Sequence, residues 1–319
     1  MRKFAALALV LALTGCAAQE PAPKVTPVDR KFCALSDSAG FNDDGLNRSV
    51  YAALQQLKVQ TGASVMAIES GAELSSKSGI QKLIDAKCDA IITSGEDLAK
   101  PALAAAKAND RIRFVSVSDI LNTGGSSPNF VALTFNIYQA AFAAGYLAAA
   151  SAPSEEIATL DLLKSSESRK SIRAFTAGVA RFNSQMRAKV KISSLTQIED
   201  ASQDVVFALS GNGVKFVDWT KRSDTGSLKL IKFIGYGRDW YSDDRNTELR
   251  PYLLTSVVRF GVTDKVVSAV IERASSQNFD LASDQVGLVA EKEIPFPNGF
   301  GAGLAEIVQD FSTGKVKVG

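Results

Sequence analysis

From residue 31 onward, short β-branched segments alternate with segments of helical periodicity, and this alternation constrains the fold more than any other feature. Phe32–Ser36 is predicted to be a strand, and Leu46, Val50 and Leu54 then recur at the spacing of one helix face. Strand–helix alternation is typical of a parallel sheet with helices on both faces. The sequence therefore predicts an α/β fold of doubly wound parallel sheets.

The alternation occurs twice, on either side of a Gly- and Ser-containing loop at 122–129. The remaining strands are predicted at 63–68, 89–93, 113–117, 130–135, 157–160, 204–209, 230–234 and 252–258. Helices are predicted at 96–108 and 138–150, near 167–183 and 212–221, and after residue 262. Since 319 residues are enough for two hydrophobic cores, we expect two similar α/β lobes.

The N-terminal segment is predicted to direct export. Arg2 and Lys3 precede an uncharged run that ends before Cys16, and the run is too short to span a bilayer. Leu13-Thr14-Gly15-Cys16 resembles a bacterial lipobox, so residues 1–15 are expected to be a lipoprotein signal peptide and Cys16 an acylated, palmitate-bearing lipid anchor. The alternative is an ordinary signal peptide with an incidental cysteine. The Pro-rich residues 16–30 then form a tether on the outward or periplasmic side of a membrane.

The composition excludes several classes of partner and of active site. Lys plus Arg number 36 and Asp plus Glu 34, so we expect no nucleic acid partner and membrane contact only through the lipid. The chain has no histidine, which removes His-based catalytic triads and most zinc sites. We therefore expect a protein that is not an enzyme, with no catalytic residues, no metal and no cofactor.

Cys33 and Cys88 remain after removal of the signal peptide, near the starts of two strands predicted to be adjacent. Two interpretations are open. In an oxidising compartment they could form a disulfide. Because bridges between neighbouring parallel strands often have unfavourable geometry, two buried free cysteines are the preferred expectation.

Polar side chains follow the predicted strands. Asp37 and Ser38 follow the first strand, Ser94 follows the third, Asp119 the fourth, and Asp239 a strand of the second half. In open α/β sheets, ligands bind beyond the carboxyl ends of the strands. A carboxylate accepts two hydrogen bonds from a vicinal diol, so these aspartates suit a sugar-like ligand. Alternatively, each aspartate caps the helix that follows it.

Four segments resemble the basic membrane protein family, the purine-nucleoside-binding lipoproteins of ABC importers. They are CALSDSAGFNDDGLNRSVYAAL (33–54), SPNFVALTFNIYQAAFAAGYLAA (127–149), FIGYGRDW (233–240) and LLTSVVRFGV (253–262). The resemblance implies a type I periplasmic-binding-protein fold, with two lobes joined by a three-crossing hinge. The N-terminal lobe would comprise 31–128 plus 259–285, and the C-terminal lobe 129–258 plus 286–319.

The resemblance also assigns ligand-binding roles. Asp37 and Asp239 would hold ribose hydroxyls from opposite lobes, and Asp119 would bind a purine edge. The remaining expected contacts are Ser38, Asn47, Ser94, and Phe207 as the aromatic that stacks on the base, with Phe216 and Trp240 as alternatives.

Three departures from the family pattern concern the ligand. Leu46 replaces a stacking phenylalanine, Gly237 replaces an aspartate, and Arg259 replaces a lysine. Arg259 is expected either to contact the ligand or to form a hinge salt bridge.

The leading hypothesis is a solute-binding lipoprotein that captures a nucleoside or similar small hydroxylated ligand and passes it to an ABC permease. The alternative is a ligand-free protein of the same fold that acts as a docking or regulatory partner in the cell envelope.

Overall fold

The computed structural model describes residues 29–43, 45–120, 123–210, 231–289, 296–297 and 299–318. These residues form two six-stranded sheets, each with helices packed against it. The predicted α/β architecture is confirmed, because the alternating apolar pattern places each strand in a buried layer and each helix with one face toward it.

The first sheet has the strand order β11-β5-β4-β3-β1-β2, and all its neighbouring strands are parallel. Its strands are β1 (Lys31–Ser36), β2 (Ser64–Glu69), β3 (Ala90–Ser94), β4 (Arg113–Ser118), β5 (Phe130–Phe135) and β11 (Gln277–Phe279). Its helices are α1 (Leu46–Thr61), α2 (Ser76–Asp85), α3 (Glu96–Ala108) and α6 (Val262–Ile271).

The second sheet has the order β12-β10-β9-β8-β6-β7 and is parallel except for β12. Its strands are β6 (Glu156–Asp161), β7 (Lys191–Leu195), β8 (Val205–Leu209), β9 (Lys232–Gly237), β10 (Leu253–Arg259) and β12 (Val286–Val289). Its helices are α4 (Ile137–Ala150), α5 (Ser166–Met186) and α7 (Phe300–Ser312). Short 3₁₀ segments lie at Ile198–Asp200, Asp244–Tyr252 and Leu281–Ser283.

The chain crosses between the lobes three times, after β5, after β10 and after β11. The first crossing lies later than the predicted start of the second lobe at residue 129. β5 pairs with β4 from Phe114↔Phe130 to Ser118↔Thr134, so it belongs to the first lobe. The loop at 122–129 suggested a boundary, but a fully buried strand follows it and completes the first sheet before the chain crosses.

Helix α4 is buried along almost its whole length. It packs against α5, β10 and β12, and its small, uncharged side chains allow this close packing inside the second lobe. None of the helices that the structure describes is both long and apolar enough to cross a bilayer.

Cys33 and Cys88 form a disulfide, so the preference for two free cysteines was wrong. The prediction that β1 and β3 are neighbours is confirmed, but the two cysteines are not opposite each other. Cys33 pairs with Ile91, whereas Cys88 lies two residues before β3 begins. Because Cys88 is outside the ladder, its side chain can turn toward Cys33, and the two Cα atoms are 6.0 Å apart.

Candidate functional site

In each sheet, the order in which successive strands are added reverses at the equivalent strand. In the first sheet β1 lies between β2 and β3, and in the second β6 lies between β7 and β8. Such a reversal opens a crevice at the carboxyl ends of the strands. At the crevice of the first lobe, the Asp37 backbone N–H donates to the Ser94 carbonyl over 3.0 Å, which fixes Asp37 beside the end of β3.

A cavity of about 260 Å³ lies between the two lobes at these strand ends. The first lobe contributes lining residues from the segment 37–47 and from the start of α3. The second lobe contributes residues from the segment 163–167, the end of β9 and Arg259. Five of the lining side chains are carboxylates, and they are Asp37, Asp43, Glu96, Asp97 and Glu167.

Asp37 and Asn47 form a pair on the first-lobe wall. Asn47 Nδ2 donates to Asp37 Oδ1 over 2.8 Å, and the Ala39 N–H donates to the same oxygen over 3.0 Å. Asn47 is only 2% exposed, and its Oδ1 has no hydrogen-bond partner among the described residues. Burial raises the pKa of the Asp37 carboxyl, and the hydrogen bond from Asn47 offsets part of that rise.

The turn after β3 leaves room for the Asp37 carboxylate. Gly95 has a φ of +119°, and a Cβ on it would lie 2.6 Å from Asp37 Oδ2. A side chain at this position would therefore both strain the backbone and displace the carboxylate.

Asp43 fixes the start of α1 and with it the position of Asn47. Its carboxylate accepts hydrogen bonds from the backbone N–H groups of Gly45, Asn47 and Arg48 over 2.8–3.1 Å. Burial raises the pKa of the Asp43 carboxyl, while these hydrogen bonds lower it.

Arg259 joins carboxylates of both lobes. Its Nε and Nη2 donate to Asp119 Oδ1 and Oδ2, each over 2.6 Å, and Nη2 also donates to Glu167 Oε1 over 2.5 Å. The side chains of Arg259 and Asp119 are 2% and 1% exposed, whereas that of Glu167 is 32% exposed toward the cavity. This arrangement is the hinge salt bridge, one of the two roles expected for Arg259.

The pKa values in this cluster follow burial and charge. Burial raises the pKa of Asp119 well above its usual value. Burial also acts to raise the pKa of Glu167, but the charge of Arg259 and the hydrogen bonds to the carboxylate outweigh it and lower the pKa. For Arg259, burial acts to lower the pKa, and the charges of both carboxylates raise it overall. The guanidinium is therefore firmly protonated.

Tyr236 extends the cluster into the second lobe. Its hydroxyl donates to Glu167 Oε1 over 2.7 Å and lies 2.8 Å from Ser171 Oγ. Since the tyrosine hydroxyl donates to the carboxylate, the serine hydroxyl donates to the tyrosine. Burial raises the pKa of Tyr236 well above its usual value, so the group is a neutral donor.

Glu96 forms a second connection between the lobes. Its carboxylate accepts a hydrogen bond from the Tyr138 hydroxyl over 2.7 Å and forms an ion pair with Lys170. Glu96 belongs to α3 of the first lobe, whereas Tyr138 and Lys170 belong to α4 and α5 of the second. The cleft is therefore held by two groups of polar contacts that cross it.

The cavity brings together five of the nine residues predicted to bind ligand. They are Asp37, Ser38, Leu46, Asn47 and Arg259. Asp37 and Ser38 follow β1, Leu46 and Asn47 begin α1, and Arg259 ends β10, so all five lie beside the crevice.

The other four predicted residues do not line the cavity. Ser94 is fully buried, and Asp119 is covered by Arg259. Phe207 is fully buried and stacks on Phe175 with 4.6 Å between ring centroids, so it forms part of the second-lobe core. Asp239 Oδ1 accepts a hydrogen bond from the Tyr241 N–H over 2.9 Å in the turn after β9.

Of the two alternatives for the stacking aromatic, Trp240 lies among the described residues and Phe216 does not. Trp240 is fully buried and packs against Gly235, while the predicted anchor Cys16, like Phe216, lies outside the described residues. Among the described residues, no group of three or more His, Cys, Asp or Glu side chains could hold a metal ion.

The sequence reasoning missed Glu167, Glu96 and Leu163, which also line the cavity. A signal for the segment 163–167 was available. It follows β6, which occupies the same place in the second sheet as β1 in the first. Applying the strand-end rule to β6 would have indicated this segment. For Glu96, its position at the start of α3 gave no indication that a lysine of the other lobe would meet it.

Comparisons with known proteins agree with this architecture. The family model described as "Bmp: ABC transporter substrate-binding protein PnrA-like" matches residues 31–218, which is more than half of the chain. A comparison with curated proteins gave no match.

Solved structures with similar folds include two ABC transporter solute-binding proteins. The protein from Aeropyrum pernix K1 is 14% identical, with 90% of this chain and 92% of that chain covered and a TM-score of 0.67. The protein from Conexibacter woesei DSM 14684 is 15% identical, with 91% and 98% covered and a TM-score of 0.61. A transcriptional activator of the comK gene from Bacillus halodurans is 16% identical, with 88% and 97% covered and a TM-score of 0.60. These likenesses concern the fold.

Proposed function

Because the chain belongs to the PnrA-like family of ABC transporter substrate-binding proteins, we propose that it captures a small hydroxylated solute between its lobes and delivers it to a permease. The family relationship supports the transport role, and the cleft geometry supports the class of ligand. The lobes bind and release the solute without changing it chemically.

The observation that carries the ligand class is the acceptor pair formed by Asp37 and Asn47. Asn47 uses its amide N–H on Asp37 Oδ1, which leaves its own Oδ1 without a partner at a buried position on the cavity wall. Buried acceptors require donors, and adjacent hydroxyl groups of a sugar or polyol supply two donors at close spacing. A ligand hydroxyl on Asn47 Oδ1 and another on the Asp37 carboxylate would satisfy the pair.

A nucleoside is the specific ligand that we propose to test first. Its ribose hydroxyls match the acceptor pair, and its base would lie toward Leu46 and Leu163, the two leucines of the cavity lining. Both residues are aliphatic, so they provide apolar contact without aromatic stacking. Stacking of an aromatic side chain on a base contributes about 1–3 kcal/mol elsewhere, and we expect correspondingly weaker discrimination in favour of a base.

Thermal unfolding against nucleosides, nucleobases and sugars tests the proposal. A ligand present at about 100 times its Kd stabilises the folded state by about 2.7 kcal/mol, which raises Tm measurably. We expect Asp37→Ala to abolish the shift and Asp239→Ala, the matched change outside the cavity lining, to preserve it. A shift that survives Asp37→Ala would contradict the proposed site.

A second candidate function is favoured by the cross-lobe contacts. Arg259 already pairs with Asp119, and Glu96 already pairs with Lys170, so the lobes meet through their own side chains. A protein of this kind could act without ligand as a docking or regulatory partner in the cell envelope. Absence of a thermal shift with every compound of the panel would favour this candidate over the receptor.

We also propose that Cys16 carries a lipid that anchors the protein to the outward or periplasmic face of a membrane. The support is the lipobox-like Leu13-Thr14-Gly15-Cys16 after a short apolar run. Metabolic labelling with palmitate in a bacterial host should mark the wild-type chain and leave Cys16→Ser unlabelled. Equal labelling of both chains would refute the assignment.

A further inference from the structure

We propose that the first lobe carries a phosphate-binding site at the pole opposite the cleft. A cavity of about 300 Å³ opens there, and four arginines line it, namely Arg30, Arg111, Arg113 and Arg273. Arg30 and Arg113 lie at the starts of β1 and β4. Since the strands of this sheet are parallel, the arginines lie at the end of the sheet away from the cleft.

The positive charges at this pole outnumber the negative ones. Two carboxylates, Asp89 and Asp110, also line the cavity, which leaves an excess of two positive charges. Within the described part of the chain, none of the four arginines forms an ion pair with a carboxylate. Asp89 Oδ2 is itself used by the backbone N–H of Lys31, over 2.7 Å.

Arg113 is held in a fixed orientation. Its Nε donates to the Ala269 carbonyl over 2.6 Å, and its Nη2 donates to the Ala274 carbonyl over 2.8 Å. Burial lowers the pKa of Arg113, and the nearby charge of Arg273 lowers it further. The fixed guanidinium of Arg113 and the exposed side chain of Arg273 line the same cavity, and a bound anion would relieve the repulsion between their charges.

Phosphate is the anion class that this arrangement fits best. Guanidinium groups recognise phosphate oxygens by paired N–H donors, and a fixed guanidinium loses little freedom when it binds. The cavity is open to solvent through the exposed side chains of Arg30, Arg111 and Arg273, so that a phosphate monoester, a diester or free phosphate could enter.

The phosphate group bound at this cavity can belong to a lipid headgroup or to free phosphate. The chain enters the first lobe at Arg30, on the cavity wall, and Cys16 lies 14 residues earlier. An extended segment of that length spans at most about 45 Å at roughly 3.1 Å per residue. If Cys16 is anchored as proposed above, headgroup phosphates are within reach; the site itself does not depend on the anchor.

Two binding measurements on the full chain test the site. The first is titration with inorganic phosphate, and the second is sedimentation with vesicles of phosphatidylglycerol or phosphatidylcholine. The site variant is Arg111→Gln with Arg273→Gln. The control variant is Arg173→Gln with Arg187→Gln, which removes the same charge from two exposed positions of the second lobe.

We expect the site variant to weaken binding at least about tenfold, equivalent to ~1.4 kcal/mol, and the control to match the wild type. Loss confined to inorganic phosphate identifies free phosphate as the ligand, and loss confined to phosphatidylglycerol vesicles identifies a headgroup. An equal loss in both variants would mean attraction by net charge alone and would overturn the proposal. So would the absence of binding in both assays. Ligand capture in the cleft is measured separately and does not depend on either result.

Discussion

Arg259 connects the two lobes through buried ion pairs. Its guanidinium is almost completely buried between Asp119 of the first lobe and Glu167 of the second. A buried ion pair contributes little net stability compared with apolar side chains, but the loss of one partner leaves the other charge buried and unpaired. Removal of Arg259 is therefore expected to lower the free energy of unfolding by more than the intact ion pairs add to it.

Replacing Arg259 by methionine should lower the free energy of unfolding by about 3–5 kcal/mol, because Asp119 and Glu167 lose their counter-charge. Denaturant unfolding measures the change. Adding Asp119→Asn and Glu167→Gln to the same chain removes the unpaired charges and should recover most of the loss. If the triple variant is no more stable than Arg259→Met alone, the loss comes from packing and not from charge.

Asp37→Asn should stabilise the ligand-free protein while abolishing capture of the solute. The folded-state pKa of Asp37 is raised by burial, so the ionised carboxylate costs stability as pH rises through that pKa. Asn keeps an acceptor for the Asn47 amide and has no charge to bury beside Asp43 and Glu167. We expect Tm to rise by about 1–3 °C near neutral pH and the difference to vanish near pH 3. A lower Tm at neutral pH would contradict this reasoning.

The sequence predicted the location of some site residues but not of others. Asp37 and Asn47 were predictable because the strand, the turn and the helix that position them are adjacent in the chain. Phe207 was not, because the face of β8 that its side chain occupies depends on Phe175 of a helix about 30 residues earlier. Asp119 and Glu167 meet through Arg259, and no local pattern indicates such a contact.

Among the elements, α4 and α5 approach each other most closely. A Cβ on Gly145 would lie 2.0 Å from the Phe175 carbonyl oxygen, and a Cβ on Gly178 would lie 1.9 Å from the Phe142 carbonyl oxygen. Each glycine therefore lets one helix contact the backbone of the other. This contact fixes α5, whose first turns carry Glu167, Lys170 and Ser171 to the cleft.

Gly178→Ala should destabilise the second lobe by about 3 kcal/mol or more, since backbone cannot yield as a side chain does. Gly301→Ala on α7 is the matched control, because a Cβ there has no atom within 4 Å. That change should be neutral or stabilise by up to about 1 kcal/mol through helix propensity. Equal effects of the two substitutions in denaturant unfolding would rule out the close-packing explanation.

The disulfide joins the start of β1 to the turn before β3 and closes a loop of 55 residues that contains α1, β2 and α2. A loop of this length gives a stabilisation of about 4 kcal/mol in the chain-entropy model. Cys33→Ala with Cys88→Ala should therefore unfold at markedly lower denaturant concentration than the wild type. Reductant should affect only the wild type, and an unchanged midpoint in the double variant would show that the bridge adds no stability.

Long amphipathic helices and buried strands were predictable, because their apolar periodicity reflects the core they cover. The edge elements β7, β11 and β12 were not predicted. β7 is largely solvent-accessible and half polar, and β11 has only three residues. Such strands are defined by the neighbour they pair with, which the local sequence does not reveal.

Across the whole molecule, the two lobes have the same strand order, but the aspartates at the ends of their equivalent strands have different roles. Asp37 follows β1 and faces the cavity, whereas Asp161 at the end of β6 accepts hydrogen bonds from Leu163, Lys164 and Ser168 and fixes the start of α5. The first lobe therefore supplies the Asp37–Asn47 pair, to which we propose that the ligand binds. The second lobe supplies Lys170 and Arg259, which bridge the cleft to carboxylates of the first lobe.

Removing the first-lobe partners of the two bridges should open the molecule. A compact chain of this length has a radius of gyration of about 20 Å, and we expect Glu96→Gln with Asp119→Asn to raise the wild-type value in small-angle scattering. Arg181→Met with Asp310→Asn, which breaks an ion pair inside the second lobe, should leave it unchanged. A value that rises equally in both variants would indicate loosening of the fold and not opening of the cleft.

We expect the bridges across the cleft to govern how fast a solute enters. If entry requires the Glu96–Lys170 and Arg259–Asp119 ion pairs to separate, the association rate is set by the frequency of opening and not by diffusion. Salt screens the partly exposed Glu96–Lys170 pair more than the buried Arg259 cluster. Higher ionic strength should therefore accelerate both capture and release, so that the exchange time of the receptor changes more than its affinity.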